Sequence, residues 1–308
     1  MRLQFVFKFL IGIATSFCII ACQQGVESVV ENQEPAFNFF NEKCAYLPNE
    51  IVFGQKVTLT DSDRYLSVQL IIENQQQSNK PKQISCSGQL ISDRAVLTAG
   101  HCLEYAKKAL VVFYPSLSCQ SGYRKDLHSL ESSQFKIHEN YFLHNNWKNE
   151  GDENPDLGII YLPKSAPFNY QRVEIAKLND LKKIFEKKQN NPDSIFENYN
   201  FLLLGSGQTN SYSANPGYIQ KTNIQKNRIS FFKDNIVLDQ RSSAGICKGD
   251  SGGGLYLISN ENYKEPILIG VSSFNILQNQ VQSKVDPCQN FSNFVNLGFY
   301  TDWINQNK

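Results

Sequence analysis

From Ile51 onward the chain is a succession of short apolar runs: "KVTLT", "LSVQLIIE", "ALVVFY", "LGIIYL", "YNFLLLGSG", "NIVLD", "GLYLIS" and "PILIGVSSF". Each is rich in Val, Ile, Leu, Phe and Tyr, and polar segments containing Gly and Asn separate them. Many short strands at this spacing predict a β-sandwich or β-barrel architecture. Strand and helix do not alternate, which excludes the doubly covered parallel sheet of α/β proteins. Two stretches depart from the pattern. "LNDLKKIFEKKQ" (178–189) carries Leu, Ile and Phe at helical spacing with lysines on its other faces, and reads as a surface helix. The closing residues "FYTDWINQNK" read as a short terminal helix. No internal repeat is present, and 308 residues suffice for one large all-β domain or two small ones.

The region before Ile51 belongs to a different category. Arg2 and Lys8 carry positive charge, Phe9 to Ala21 is mostly apolar, and "IIAC" closes the stretch, so residues 1–22 read as an export signal. Ala21-Cys22 also resembles a bacterial lipoprotein cleavage site, making Cys22 a lipidation candidate and the membrane a partner through a lipid anchor. Ordinary cleavage nearby is the alternative. Residues 23–50 are polar without sustained periodicity and read as a propeptide or tether. Export makes the cysteines interpretable. Eight minus Cys18 and Cys22 leaves six, an even number that reads as disulfides in an oxidising compartment. There is no C-x-x-C pair to suggest a zinc cluster. A formal net charge of +1 speaks against a nucleic-acid partner.

Chemistry concentrates in two stretches. "CKGDSGGGL" (247–255) sets Ser251 among glycines, where a sharply turning backbone exposes N–H groups to a developing oxyanion. It satisfies G-x-S-x-G, the nucleophile elbow of α/β-hydrolases, but that fold needs its histidine after the serine. All four histidines, His101, His128, His138 and His144, precede Ser251, so the elbow reading fails. The last three lie in a polar stretch and read as surface positions. His101 ends "AVLTAGHCL" and is the remaining base.

The order His, Asp, Ser is that of chymotrypsin, and from here the chain resembles the trypsin/chymotrypsin family of serine endopeptidases in an exported, bacterial-type form. "CSGQLISDRAVLTAGHC" (86–102) resembles the strand pair that ends in the catalytic histidine, "NPDLGIIYL" (154–162) the aspartate motif, and "CKGDSGGGL" the nucleophile loop. "IVFG" (51–54) resembles a mature N-terminus left by zymogen cleavage, and "IGVSSFN" (269–275) the strand lining the substrate cleft. The resemblance implies two packed six-stranded antiparallel β-barrels, about 51–165 and 166–308, with a short C-terminal helix. It implies His101 as general base, Asp156 as its orienting partner, Ser251 as nucleophile, and the N–H groups of Gly249 and Ser251 as oxyanion hole. Ser273 would support Asp156. Asp250 would pair with the α-amino group of Ile51 after an activating protease cuts behind Glu50. Phe53 stands where the family's N-terminal motif has glycine. No cofactor or metal is required, and the partners implied are protein or peptide substrates and the activator.

The same resemblance pairs Cys86 with Cys102 and Cys247 with Cys288, leaving Cys44 and Cys119 to pair and keep the leader tethered. It places Gly245 at the floor of the substrate pocket, where trypsin-like enzymes carry aspartate, with Ile246, Ser273, Phe274 and Asn275 around it. Aligning "DWIN" puts Ser292 on the opposite wall, whereas aligning "LGFYT" puts Gly298 there, and Ser292 gives the terminal helix its normal position. An uncharged P1 residue, small or medium, follows. The alternative from another class is a catalytically silent homologue that binds proteins; a lipase or esterase conflicts with residue order.

Overall fold

The computed structural model describes residues 55–57, 62–75, 82–113, 128–141, 155–177, 181, 199–207, 219–241, 243–259, 266–276 and 288–308. Strands, numbered in chain order, form two curled sheets. The first holds β2 (Val68–Asn74), β3 (Lys82–Ser92), β4 (Ala95–Thr98), β5 (Ala106–Phe113), β6 (His128–Ser132), β7 (Phe135–Ile137) and β8 (Gly158–Tyr161), in the order β6-β5-β2-β3-β4-β8-β7. The second holds β1 (Gln55–Lys56), β10 (Tyr199–Gly205), β11 (Gln220–Ile224), β12 (Ile229–Phe231), β13 (Asn235–Asp239), β14 (Gly254–Ser259), β15 (Ile267–Ile276) and β16 (Phe291–Asn296). Its order is β1-β11-β10-β14-β15-β16-β13-β12, with β9 (Glu174–Ile175) added on β15.

The expected six strands per barrel become seven and nine among the described residues. Two of the additions are two-residue strands on the second sheet. β1 pairs with β11, so a segment assigned to the first barrel by sequence lends its backbone to the second sheet. β9 pairs with β15 in parallel, an exception to the antiparallel expectation. Both occupy strand edges that would otherwise present unpaired N–H and C=O groups.

Each sheet encloses its own apolar cluster. Leu70, Ile72, Val96, Val111, Phe113 and Ile160 fill the first; Phe201, Leu203, Ile236, Leu255, Ile269 and Phe294 fill the second. A third cluster joins Leu97, Leu157 and Ile159 of the first sheet to Leu202, Leu204, Tyr256 and Val271 of the second. The alternation of strand side chains makes this possible, because neighbours such as Val96 and Leu97 face opposite ways. The Tyr256 hydroxyl, fully buried, donates to Leu66 O at 2.9 Å, which offsets the cost of its burial.

Two helices matter to the site. α1 (Gly100–Leu103) is a single turn directly after β4 and carries His101. α2 (Thr301–Asn307) is the expected terminal helix; Trp303 and Ile304 are its buried residues. Of the helix expected at 178–189 only Leu181 is described; it is helical and buried. His138, expected on the surface, is instead buried, its ring 4.8 Å from Trp303 and 5.5 Å from Tyr300, centroid to centroid. Trp303 Nε1 donates to Glu139 Oε2 at 2.9 Å, so the terminal helix is held where His138 enters its apolar face. Burial holds the His138 pKa below the ordinary histidine value. The side chain of His128 and all of His144 lie outside the described residues.

Candidate active site

Sheet register brings the first two residues together. β4 and β8 run antiparallel with Thr98 opposite Gly158, so the chain leaving β4 into α1 lies beside the chain entering β8. His101 and Asp156, 55 residues apart, meet there. Asp156 Oδ2 accepts from His101 Nδ1 at 2.7 Å, and its Oδ1 accepts from the His101 backbone N–H at 2.7 Å. The Ser273 hydroxyl, reaching over from β15 on the other sheet, donates to Oδ2 at 2.6 Å. The carboxylate is therefore fixed by three donors, and it fixes the imidazole with Nδ1 protonated and Nε2 3.8 Å from Cys102 Sγ.

Asp156 is buried and His101 half-exposed, its side chain 30% accessible. Burial of Asp156 pushes its pKa up, but His101, through charge and hydrogen bond, together with the Ser273 hydroxyl, holds it below the ordinary carboxylate value. For His101, burial works against the charged ring. The charge and hydrogen bond of Asp156 override that, with a smaller contribution from Glu104, and leave the pKa above 6.5. The pair thus stabilises an imidazolium once Nε2 takes up a proton.

Ser251 sits in the turn before β14. The Gly254↔Val271 register lays this turn against Ser272, whose carbonyl accepts from Gly252 N at 2.7 Å and whose N–H donates to Gly253 O at 2.8 Å. The first sheet grips it from the other side: Ser87 N donates to Ser251 O at 2.7 Å and Gln89 Nε2 to Gly252 O at 2.7 Å. Gly252 has φ +81°, and a Cβ there would come within 3.0 Å of Ala99 N and collide with Ser87 O and Thr98 Oγ1. A side chain would push the two sheets apart at the Ser251 turn. Gly249 also takes a positive φ, +94°, and its carbonyl accepts from Ser87 Oγ at 3.1 Å. Among the described residues neither Gly249 N–H nor Ser251 N–H donates to a protein acceptor, so both are free for an oxyanion.

One expected contact is missing among the described residues: Ser251 Oγ makes no hydrogen bond to His101 Nε2. The Ser251 backbone is anchored to Ser87 and the His101 ring to Asp156, and Cys102 Sγ lies 3.8 Å from His101 Nε2 and 3.9 Å from Ser251 O. Such bonds are often long without substrate and tighten around it.

Asp250 is buried, 1% exposed. Its Oδ1 accepts from Gly207 N at 2.7 Å and its Oδ2 from Cys247 N at 2.8 Å. Burial outweighs these two bonds and pushes its pKa up to about 7. Among the described residues no cation is paired with it. Ile51, Phe53, Cys22, Cys44 and Cys119 lie outside the described residues.

Both disulfides implied within the described region are present, Cys86–Cys102 and Cys247–Cys288. The first resolves an apparent metal cluster. Donor atoms of Cys86, His101 and Cys102 lie within 4.8 Å of one another, but the two sulfurs are bonded to each other and leave the imidazole alone. Asn275 lies opposite Ser292 in the β15–β16 register, which puts Ser292 rather than Gly298 across from Asn275. The side chains of Phe274 and Asn275 are outside the described residues.

Sequence reading misses several participants. Ser87 and Ser206 share a buried hydroxyl pair at 2.9 Å behind the nucleophile turn, and Gly207 holds Asp250. Tyr141 donates its hydroxyl to Glu104 Oε2 at 3.4 Å near His101. Gln240 is buried under the pocket residues. None carries a local motif; only "YNFLLLGSG", with two glycines flanking Ser206, marks a place where another backbone or side chain must approach closely.

A family model described as Trypsin matches residues 52–297. Serine protease 1 of Drosophila melanogaster is 25% identical over 235 residues, covering 72% of this chain and 75% of that protein. A collagenase of Hypoderma lineatum is 25% identical over 235 residues, covering 73% and 77%. The solved structure of HL collagenase superposes with a TM-score of 0.57 at 21% identity, covering 83% of this chain and 98% of the other. These sequence relatives are insect proteins and lend no support to the bacterial type expected from Ala21-Cys22. With its two curled sheets and a family match spanning well over half its length, the chain belongs to the trypsin family and is a serine endopeptidase.

Proposed function

We propose that this endopeptidase cleaves proteins or peptides through an acyl-enzyme, with Ser251 as nucleophile, His101 as general base and acid, and Asp156 as the residue that orients His101 and stabilises its charge. Ser251 Oγ attacks the scissile carbonyl carbon while His101 Nε2 takes its proton. The C–N bond then breaks and His101 returns that proton to the leaving amine. Water repeats the sequence to release the acid. The N–H groups of Gly249 and Ser251 hold the oxyanion. The observation that carries this reading is the chain Ser273–Asp156–His101, bonded at 2.6 and 2.7 Å beside the Ser251 turn.

Activation belongs to the same reading. The chain is exported by residues 1–22, with ordinary signal cleavage as the alternative to a lipid on Cys22, and cut before Ile51 by another protease. The freed α-amino group of Ile51 then supplies the cation that the buried Asp250 lacks among the described residues. The state of Asp250 supports this, since a buried carboxylate with a pKa raised to about 7 favours an arriving cation. The P1 residue is uncharged, supported by Gly245 where a basic P1 would need a carboxylate.

One observation favours a second reading, a silent homologue that binds proteins: Ser251 and His101 are not hydrogen-bonded. A chain with a specific cleavage site ending before Ile51 separates the two. Under the first reading cutting switches on hydrolysis of uncharged-P1 peptides, and Ser251→Ala abolishes it. An inert chain after complete cleavage supports the second.

A further inference from the structure

We propose that Gln240 determines specificity, its carboxamide filling the base of the P1 pocket so that only small uncharged side chains such as Ala, Ser or Val are accepted. The P1 pocket that the proposed function places beside Ser251 would be bounded by residues 245–248, the strand edge from Ser273 to Asn275, and β16 at Ser292, which faces Asn275 in the sheet register. Gln240 binds to two of these walls and to the disulfide that joins them. Its Nε2 donates to Ile246 O at 2.9 Å and to Cys288 O at 2.8 Å. Its Oε1 accepts from Ile246 N at 2.8 Å and from the Ser292 hydroxyl. Two N–H donors and two acceptor positions are the full capacity of a carboxamide. Nothing remains to bind a ligand, so the side chain acts as a stopper and not as a contact for a polar P1 group.

Gly245 is the counterpart of this stopper. A Cβ at residue 245 would come within 2.5 Å of Gln240 Cβ and overlap the carboxamide. The missing side chain at the expected floor is therefore no cavity; Gln240, which is 0% exposed, occupies the space. The backbone N–H and C=O of Ile246 both turn to Gln240. Behind the floor, Arg228 donates to Asp239 O at 2.7 Å and to Ala244 O at 2.6 Å. That guanidinium carries the wrong sign for a Lys or Arg P1 residue. A long or aromatic P1 side chain would have to expel a fully hydrogen-bonded buried amide and break its bonds to Ile246, Cys288 and Ser292.

This inference rests on the P1 pocket of the proposed function; its kinetic arm requires catalysis as well. Chain cut before Ile51 is assayed on peptides differing only at P1. We expect kcat/KM for Ala and Val to exceed Phe and Lys by about 100-fold or more, and Gln240→Ala to raise the Phe-to-Ala ratio by about tenfold or more. Equal cleavage of Phe and Ala by the parent, or an unchanged ratio in a folded Gln240→Ala protein, overturns the proposal. A second arm needs no catalysis and titrates indole and benzamidine calorimetrically. Neither binds the parent at millimolar concentration, whereas indole binds Gln240→Ala. Indole binding to the parent overturns the stopper even if the protein hydrolyses nothing. A Gly245→Ala change that unfolds the parent but is tolerated beside Gln240→Ala supports it; equal tolerance in both backgrounds counts against it.

Discussion

The uncut chain should become less stable as pH rises through neutrality, because of one residue. Asp250 is buried, receives two backbone N–H groups, has no cationic partner among the described residues, and has its pKa pushed from 3.8 up to about 7. Between those values the folded chain holds a proton that the unfolded chain has released. Stability therefore falls with pH, the contribution being fully present below about 4 and lost as pH rises through about 7. At about 1.4 kcal/mol per pKa unit, the span corresponds to about 4 kcal/mol, a large share of an ordinary domain's stability. The perturbation is Asp250→Asn, which cannot ionise, made in a Ser251→Ala background so that neither protein digests itself, and compared before any activating protease is added. Urea unfolding at a series of pH values from 4 to 8 gives the difference between the two proteins. Near pH 4 both side chains are neutral in the folded state, and the difference there is the baseline. Toward pH 8 the aspartate chain should lose about 4 kcal/mol relative to that baseline. After cleavage before Ile51 the loss should disappear, the carboxylate then being charged and paired. A stability difference that does not vary with pH in the uncut chain would refute the reasoning, and so would a slope that cleavage leaves untouched.

Asp156→Asn should lower kcat/KM by about 10⁴-fold with the fold intact, because the wrong imidazole tautomer is then favoured; peptide kinetics and thermal unfolding check the two halves. The acid limb of kcat/KM should have its midpoint above 6.5, since His101 must be neutral to act and Asp156 raises its pKa. In Asp156→Asn that midpoint should move down, and an unmoved limb would detach it from His101. Replacing Cys86 and Cys102 by serine should cost about 3 kcal/mol in denaturant unfolding, the value of closing a short loop.

Much of the site is legible because each catalytic role requires a particular residue type next to a strand end. "TAGHC" closes β4, "NPDLG" opens β8 and "SSF" lies in β15, so motif and geometry coincide at His101, Asp156 and Ser273. The alternating texture points to β-sheets but not to their margins. β1 and β9 are only two residues long, and what makes them strands is a vacant neighbouring edge rather than anything in "QK" or "EI". His138 reads as a surface residue because its neighbours are polar; what buries it is Trp303, at the far end of the sequence. Gln240 is illegible for the same reason. In "LDQRSSAG" it resembles any turn residue, and its partners Ile246, Cys288 and Ser292 converge on it only through the β13–β16 pairing and the Cys247–Cys288 bond.

In the proposed mechanism Ser251, activated by His101, is the nucleophile on which every other role depends. A fluorophosphonate probe reacts only with a serine so activated, and mass mapping of the modified peptide locates it. After cleavage before Ile51 we predict stoichiometric labelling on Ser251, lost in Ser251→Ala and slowed in Asp156→Asn. An unlabelled Ser251 in fully cleaved, folded protein, or labelling that persists at another residue in Ser251→Ala, would contradict the account.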